Sequence, residues 1–140
     1  MNVISILILT CLVAIAAYTD LKFGKVYNAL ILVGLISGMI LRFPGGESDL
    51  RQAFMSIGIS VALLLPIYLC KGIGAGDVKL FAAIAAFLNC TDMVQCIILS
   101  FLIGGVISII FVVKNKSIKQ TIHFALPIFI STVFISGGVI

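Results

Sequence analysis

Val94–Val113 reads VQCIILSFLIGGVISIIFVV, a run without a single charge, closed off by Asp92 on one side and Lys114 on the other. A helix of about 20 residues rises about 30 Å, the thickness of a bilayer's hydrocarbon core. The rest of the chain has the same character. Of its 140 residues 62% are hydrophobic and only 10% charged, and the mean hydropathy is +1.34. Soluble domains carry about 25% charged residues, and disordered chains combine low hydrophobicity with high charge. Both classes are excluded. At about 20 residues per span the length admits at most about seven spans and no sizeable extramembrane domain. The expectation is an all-α polytopic membrane protein, with residues 1–140 forming one membrane-embedded domain.

Polar clusters divide the chain into six apolar segments: Val3–Tyr18, Val26–Leu41, Ala53–Cys70, Val78–Leu88, Val94–Val113 and Ile122–Ile140. The fourth is too short to cross a core of about 30 Å unaided, so its neighbours must shield it or its flanks must extend it. The first resembles a secretory signal at Ala14-Ile15-Ala16, but a signal needs basic residues before its apolar run. Here the first basic residue, Lys22, comes after it. The segment is therefore read as a helix.

Lysines then orient the bundle. Lys22, Lys25, Lys71, Lys79, Lys114, Lys116 and Lys119 fall in the connections after spans one, three and five, while Arg42 and Arg51 fall on the other face. Basic residues collect on the cytoplasmic side. Six spans with both termini outside and three cytoplasmic connections follow. The same reading accounts for the net charge of +4 without any nucleic acid. Cys11, Cys70, Cys90 and Cys96 form no C-x-x-C pair, so no metal site is indicated. A free cysteine in an apolar run behaves as a small hydrophobe.

Two of the five acidic residues stand apart. Asp20 ends the first span and Asp77 opens the fourth, both at the cytoplasmic boundary. Singly, each has a structural explanation: Asp77 as a helix N-cap, Asp20 as an interfacial residue beside Lys22. Together they place two carboxylates from distant parts of the chain at one depth on one face. Converging carboxylates share a proton, because both cannot ionise side by side. The ionised one activates water, and the protonated one polarises a carbonyl and protonates the leaving amine. Gly74 and Gly76 supply backbone freedom for close approach to a peptide.

The segment Gly74-Ala75-Gly76-Asp77-Val78-Lys79-Leu80 resembles the G-x-G-D-x-K-L motif of the type IV prepilin peptidases, which are membrane aspartic proteases. Asp20-Leu21-Lys22-Phe23-Gly24-Lys25-Val26-Tyr27-Asn28 is similar to that family's first motif, an Asp followed by a basic residue and then an Asn. His123-Phe124-Ala125-Leu126-Pro127 is similar to its looser Pro-containing motif. Presenilin-type proteases share G-x-G-D but carry Pro-Ala-Leu late in the chain, in contrast to Ala125-Leu126-Pro127 here.

The resemblance implies a leader peptidase in the cytoplasmic membrane with Asp20 and Asp77 as catalytic residues and no cofactor. Its substrate would be a prepilin or pseudopilin precursor, cut at a short cytoplasmic leader just before the hydrophobic helix. The larger bacterial members carry an N-terminal domain with paired C-x-x-C motifs, linked to methylation; the motifs are missing here, so methyltransferase activity is not expected. The chain looks like the short forms that serve Flp/Tad-type pili, with archaellin or competence pilin processing as alternatives.

Around the pair, Lys22, Asn28 and Lys79 match motif positions. Asn28 is placed to help hold Asp20, and Lys79 to tune Asp77. Helix dipoles favour charge at a helix start over a helix end, which suggests Asp77 as base and Asp20 as acid. His123 reads as interfacial, and Gly104-Gly105 as a close-packing site. Two other classes use the same residues differently: an ion-coupled transporter built on intramembrane carboxylates, and a structural subunit in which they only cap and anchor.

Overall fold

The computed structural model describes residues 2–115 and 124–138. Six α-helices make up these residues: α1 (Val3–Phe23), α2 (Asn28–Arg42), α3 (Glu47–Leu69), α4 (Ala75–Ala85), α5 (Cys90–Asn115) and α6 (Ala125–Ser136), with a 3-10 turn at Phe43–Gly45. The class is all-α, as the composition implies. Four helical stretches are long and apolar enough to cross a membrane: Val3–Phe23, Asn28–Gly45, Glu47–Leu69 and Cys90–Ile110. α4 and the described part of α6 are shorter. His123, Lys116, Lys119 and both ends of the expected segment Ile122–Ile140 lie outside the described residues.

Helix bounds differ from the apolar segments in one systematic way. α1 continues past Tyr18 through Asp20 to Phe23, α4 starts three residues before Val78, and α3 starts at Glu47 rather than Ala53. Hydropathy marks where side chains leave lipid, whereas backbone hydrogen bonding continues through polar residues, good helix formers such as Lys22, Glu47, Arg51 and Gln52 among them.

Short α4 sits in the middle of the bundle, packed against α1, α2, α3, α5 and α6. Leu80, Phe81, Ala83, Ile84, Ala85 and Ala86 are completely buried. Protein thus replaces the lipid that α4 is too short to span. The close fit depends on α2. A Cβ at Gly34 would stand 2.6 Å from Leu12 and 3.2 Å from Ala83, and one at Gly38 only 2.7 Å from Ala86. This Gly-x-x-x-Gly face lets two helix backbones approach closely.

α5 and α6 are joined by polar groups in an apolar setting. Cys96, Ser100, Ser131 and Thr132 are all fully buried. The hydroxyls of Ser100 and Ser131 hydrogen-bond each other, and Cys96 Sγ lies 3.6 Å from Ser131 Oγ and 3.5 Å from Thr132 Oγ1. Gly104 receives the Phe124 ring, which a Cβ would meet at 2.7 Å, while Gly105 faces open space. Only the first glycine of the pair serves packing.

At the opposite end Arg42 closes the bundle. Its Nη2 donates to the Phe87 carbonyl at 2.8 Å and to Asn89 Oδ1 at 3.2 Å, and its Nη1 to the Asp49 carbonyl at 3.3 Å. One guanidinium therefore ties α2 to α3 and to the turn between α4 and α5. Short antiparallel connections on both sides of α4 leave α3 and α5 running in the same direction. The Ser56 hydroxyl donates to Cys90 Sγ at 3.4 Å, which sets their register. With equal rise per residue, Leu63 stands level with Ile97, and Ile67 with Phe101.

Candidate active site

Asp20 lies in the last turn of α1. Gly24 ends that helix in the left-handed conformation, φ 63°, and its N–H donates to the Asp20 carbonyl at 2.8 Å. A residue with a Cβ is strained there, so glycine is what lets the chain turn sharply towards α2. The Asp20 side chain is buried, with 9% of its surface exposed.

Asp77 sits one turn into α4. The N-cap is Gly74, and Asp77 Oδ2 accepts the Gly74 N–H at 3.3 Å. This corrects the reading of Asp77 as the N-cap itself. Its carboxylate reaches back as the third residue of a capping box does, and Gly74 has no side chain to reciprocate.

Both aspartates line one cavity of about 390 Å³. Gly24, Lys25, Val26, Asn28, Gly74, Gly76, Lys79 and Phe124 complete its wall. α1, α4, the α1–α2 turn and the start of α6 meet here, so residues far apart in sequence enclose one space. Among the described residues no three His, Cys, Asp or Glu side chains come together as a metal site would require.

The positions singled out around the pair fall into different places. Lys79 Nζ donates to Asn28 Oδ1 at 3.2 Å. Asn28 therefore pairs with Lys79 through its Oδ1 and lines the same cavity as Asp20. Lys22 folds back along α1, with Nζ 3.4 Å from the Tyr18 hydroxyl and over the Tyr18 and Phe23 rings at 5.6 Å and 5.4 Å. It is exposed and does not line the cavity. Lys25, an orienting lysine within the first motif, does, and so does Phe124, whose residue type does not mark a cavity wall.

Gly74 and Gly76 act differently from expectation. Neither has a positive φ, so neither uses the freedom peculiar to glycine. A Cβ at Gly74 would lie 3.3 Å from Asp77 Oδ2, and one at Gly76 would make only ordinary contact, 3.6 Å, with Val26. Their contribution is a bare wall beside the Asp77 carboxylate.

Asp77 stands outside the four candidate spans. Burial raises its carboxyl from the usual 3.8 to about 6; the Gly74 N–H works against the rise, and the charge of Asp20 adds to it. The helix-dipole argument expects the opposite direction. Burial outweighs it, because desolvating a carboxylate costs more than a helix start returns. A carboxyl raised to about 6 beside a second carboxylate on one cavity has the groups that acid–base chemistry near neutral pH uses.

No curated protein and no solved structure matches the chain. A family model described as the type IV leader peptidase family (Peptidase_A24) matches residues 7–109, which include most of α1, all of α2 to α4, both aspartates and most of α5. That match covers well over half of the 140 residues, and the chain therefore belongs to the type IV leader peptidase family.

Proposed function

We propose that this leader peptidase cuts the short cytoplasmic leader from prepilin or pseudopilin precursors, just before their hydrophobic helix, with Asp20 and Asp77 as the catalytic pair. The observation that carries the proposal is the shared cavity: two carboxylates separated by 57 positions in sequence line the same space. The lysines near that end of the bundle, Lys22, Lys25, Lys71 and Lys79, favour a cytoplasmic placement under the positive-inside rule. Six membrane segments with outer termini, α4 enclosed by protein, complete this arrangement.

In the mechanism the pair holds one proton. The ionised carboxylate takes a proton from water as the water oxygen attacks the scissile carbonyl carbon. The protonated carboxyl gives its proton to the carbonyl oxygen, producing a tetrahedral gem-diol. Collapse of that intermediate breaks the C–N bond: a carboxyl proton passes to the departing amine while one gem-diol hydroxyl returns its proton to the other carboxylate. The pair then holds one proton again, and water has been divided between acid and amine products. Because the carboxylates are coupled, their titration belongs to the pair. The raised value of Asp77 favours its carrying the shared proton for part of the cycle.

Co-expression with a Flp-type prepilin tests the proposal, with the precursor's size followed on a gel. Wild type is expected to cleave, and Asp20→Asn and Asp77→Asn at matched membrane levels are expected not to. Cleavage surviving in either variant would overturn the two-aspartate mechanism. A chain that instead moves protons or cations, in flux assays sensitive to the same substitutions, would be a transporter.

A further inference from the structure

A lateral groove of about 490 Å³ runs between α3 and α5, lined by Leu63, Ile67, Val94, Ile97, Ile98, Phe101 and Leu102. No charged residue lines it. Ile98 and Leu102 are more than half exposed, and Leu63 nearly so, so the groove opens sideways from the bundle rather than towards its centre. The α3–α5 register places Ile67 and Phe101 at the end of the groove nearest Leu69, the last residue of α3.

At that end the groove meets the aspartate cavity. The Phe101 ring lines the groove and packs on Phe124 with centroids 5.2 Å apart, and Phe124 lines the cavity. The two rings, their planes tilted by 54°, form the partition between an apolar lateral trough and the two carboxylates. A bond cleaved immediately before an apolar helix imposes a geometric demand. An extended residue spans at most about 3.6 Å, so the start of that helix must lie within a few such lengths of the carboxylates. It must also keep its apolar side chains out of water. A trough abutting the cavity meets both demands.

We propose that the α3–α5 groove is the docking site for the first turns of the precursor's hydrophobic helix, with the Phe101–Phe124 partition as the threshold over which the leader enters the cavity. The inference rests on the peptidase reading above. It commits to an apolar helix of the substrate, not to a lipid chain or a second copy of this protein. In a membrane such a helix gains little from burial alone, and close side-chain packing has to hold it. Groove shape, rather than hydrophobicity, then selects the substrate.

The test uses a photo-activatable benzoyl-phenylalanine placed at Ile98 or Leu102, and at Val33 on the lipid-exposed face of α2 as the control. Each is combined with Asp77→Asn to retain uncut Flp-type prepilin, in membranes co-expressing that prepilin. Crosslinks to the prepilin from the two groove positions and not from Val33 are expected. An independent arm uses Ile98→Trp in the active protein. Filling the groove should raise the KM for prepilin about tenfold with kcat nearly unchanged, the pattern of lost ground-state binding. If wild type cleaves prepilin but the groove probes capture only lipid or a second copy, or Val33 captures prepilin equally well, the groove assignment is overturned and the peptidase stands. If wild type cleaves no prepilin, both fall together.

Discussion

Lys79 Nζ donates to Asn28 Oδ1 across 3.2 Å, joining residues 51 positions apart. The bond fastens the first turn of α2 to α4 two residues beyond Asp77, so the two sequence motifs are connected through their flanking polar residues while their aspartates share the cavity. A lysine that merely extended to the membrane surface would make no such bond.

Breaking this link should disturb positioning more than stability. Both residues are exposed, and exposed hydrogen bonds of this type contribute about 0.5–1.5 kcal/mol. Asn28→Ala and Lys79→Met are each expected to slow prepilin cleavage, with the double variant no slower than the worse single one. A double-mutant cycle on kcat/KM measures this. Additive losses would show that the two residues act separately.

Asp77 yields a pH prediction with a definite sign. Its folded-state value is raised from 3.8 to about 6, so folding disfavours the ionised form. The resulting stability cost is absent at low pH, grows between these two values and is complete above about 6. Asp77→Asn should therefore unfold at a higher temperature than wild type near pH 8 and at about the same temperature near pH 4, measured in detergent micelles. Loss of the shared proton should also make wild-type kcat/KM fall about tenfold per pH unit on the alkaline side.

Gly38 and Gly58 separate packing from propensity. Gly38→Val drives a side chain into Ala86 and Phe87 and should cost about 1–3 kcal/mol, as overpacking does. Gly58 meets nothing within 4 Å. Gly58→Ala should thus be neutral or stabilising by up to about 1 kcal/mol from helix propensity. Thermal unfolding of the two variants side by side checks the contrast.

Arg42 supports the far end of α4. Arg42→Ala leaves the Phe87 carbonyl without its 2.8 Å donor and should cost about 1.5–3 kcal/mol, the range for charged hydrogen bonds. Arg42→Lys should recover only part, since an ammonium lacks the planar fork that serves Phe87, Asn89 and Asp49 together. Hydrogen exchange should quicken across residues 86–89, while the KM for prepilin stays unchanged.

The candidate pair was legible because its residues break a strong pattern. Carboxylates at the ends of apolar runs are conspicuous in a chain with only five acids, and the motif residues around them carry a family resemblance. The neighbours were not legible in the same way. Lys22 and Lys25 are the same residue type three positions apart, yet one folds back onto Tyr18 and the other lines the cavity. Only the sharp turn at Gly24 separates their directions. Phe124 and Phe101 are ordinary apolar residues until α6 seats one ring on Gly104, beside the other.

Composition and hydropathy alone determined the all-α membrane class, the apolar segments and the two aspartates, because a bilayer imposes length and polarity rules on each segment separately. Tertiary packing decided what no segment carries by itself. It enclosed α4 on all sides by way of Gly34 and Gly38, paired Asn28 with Lys79, and brought the carboxylates of α1 and α4 onto one cavity. It also raised the Asp77 carboxyl against the pull of its helix start, since burial is set by the surrounding helices, whereas the dipole belongs to its own helix alone.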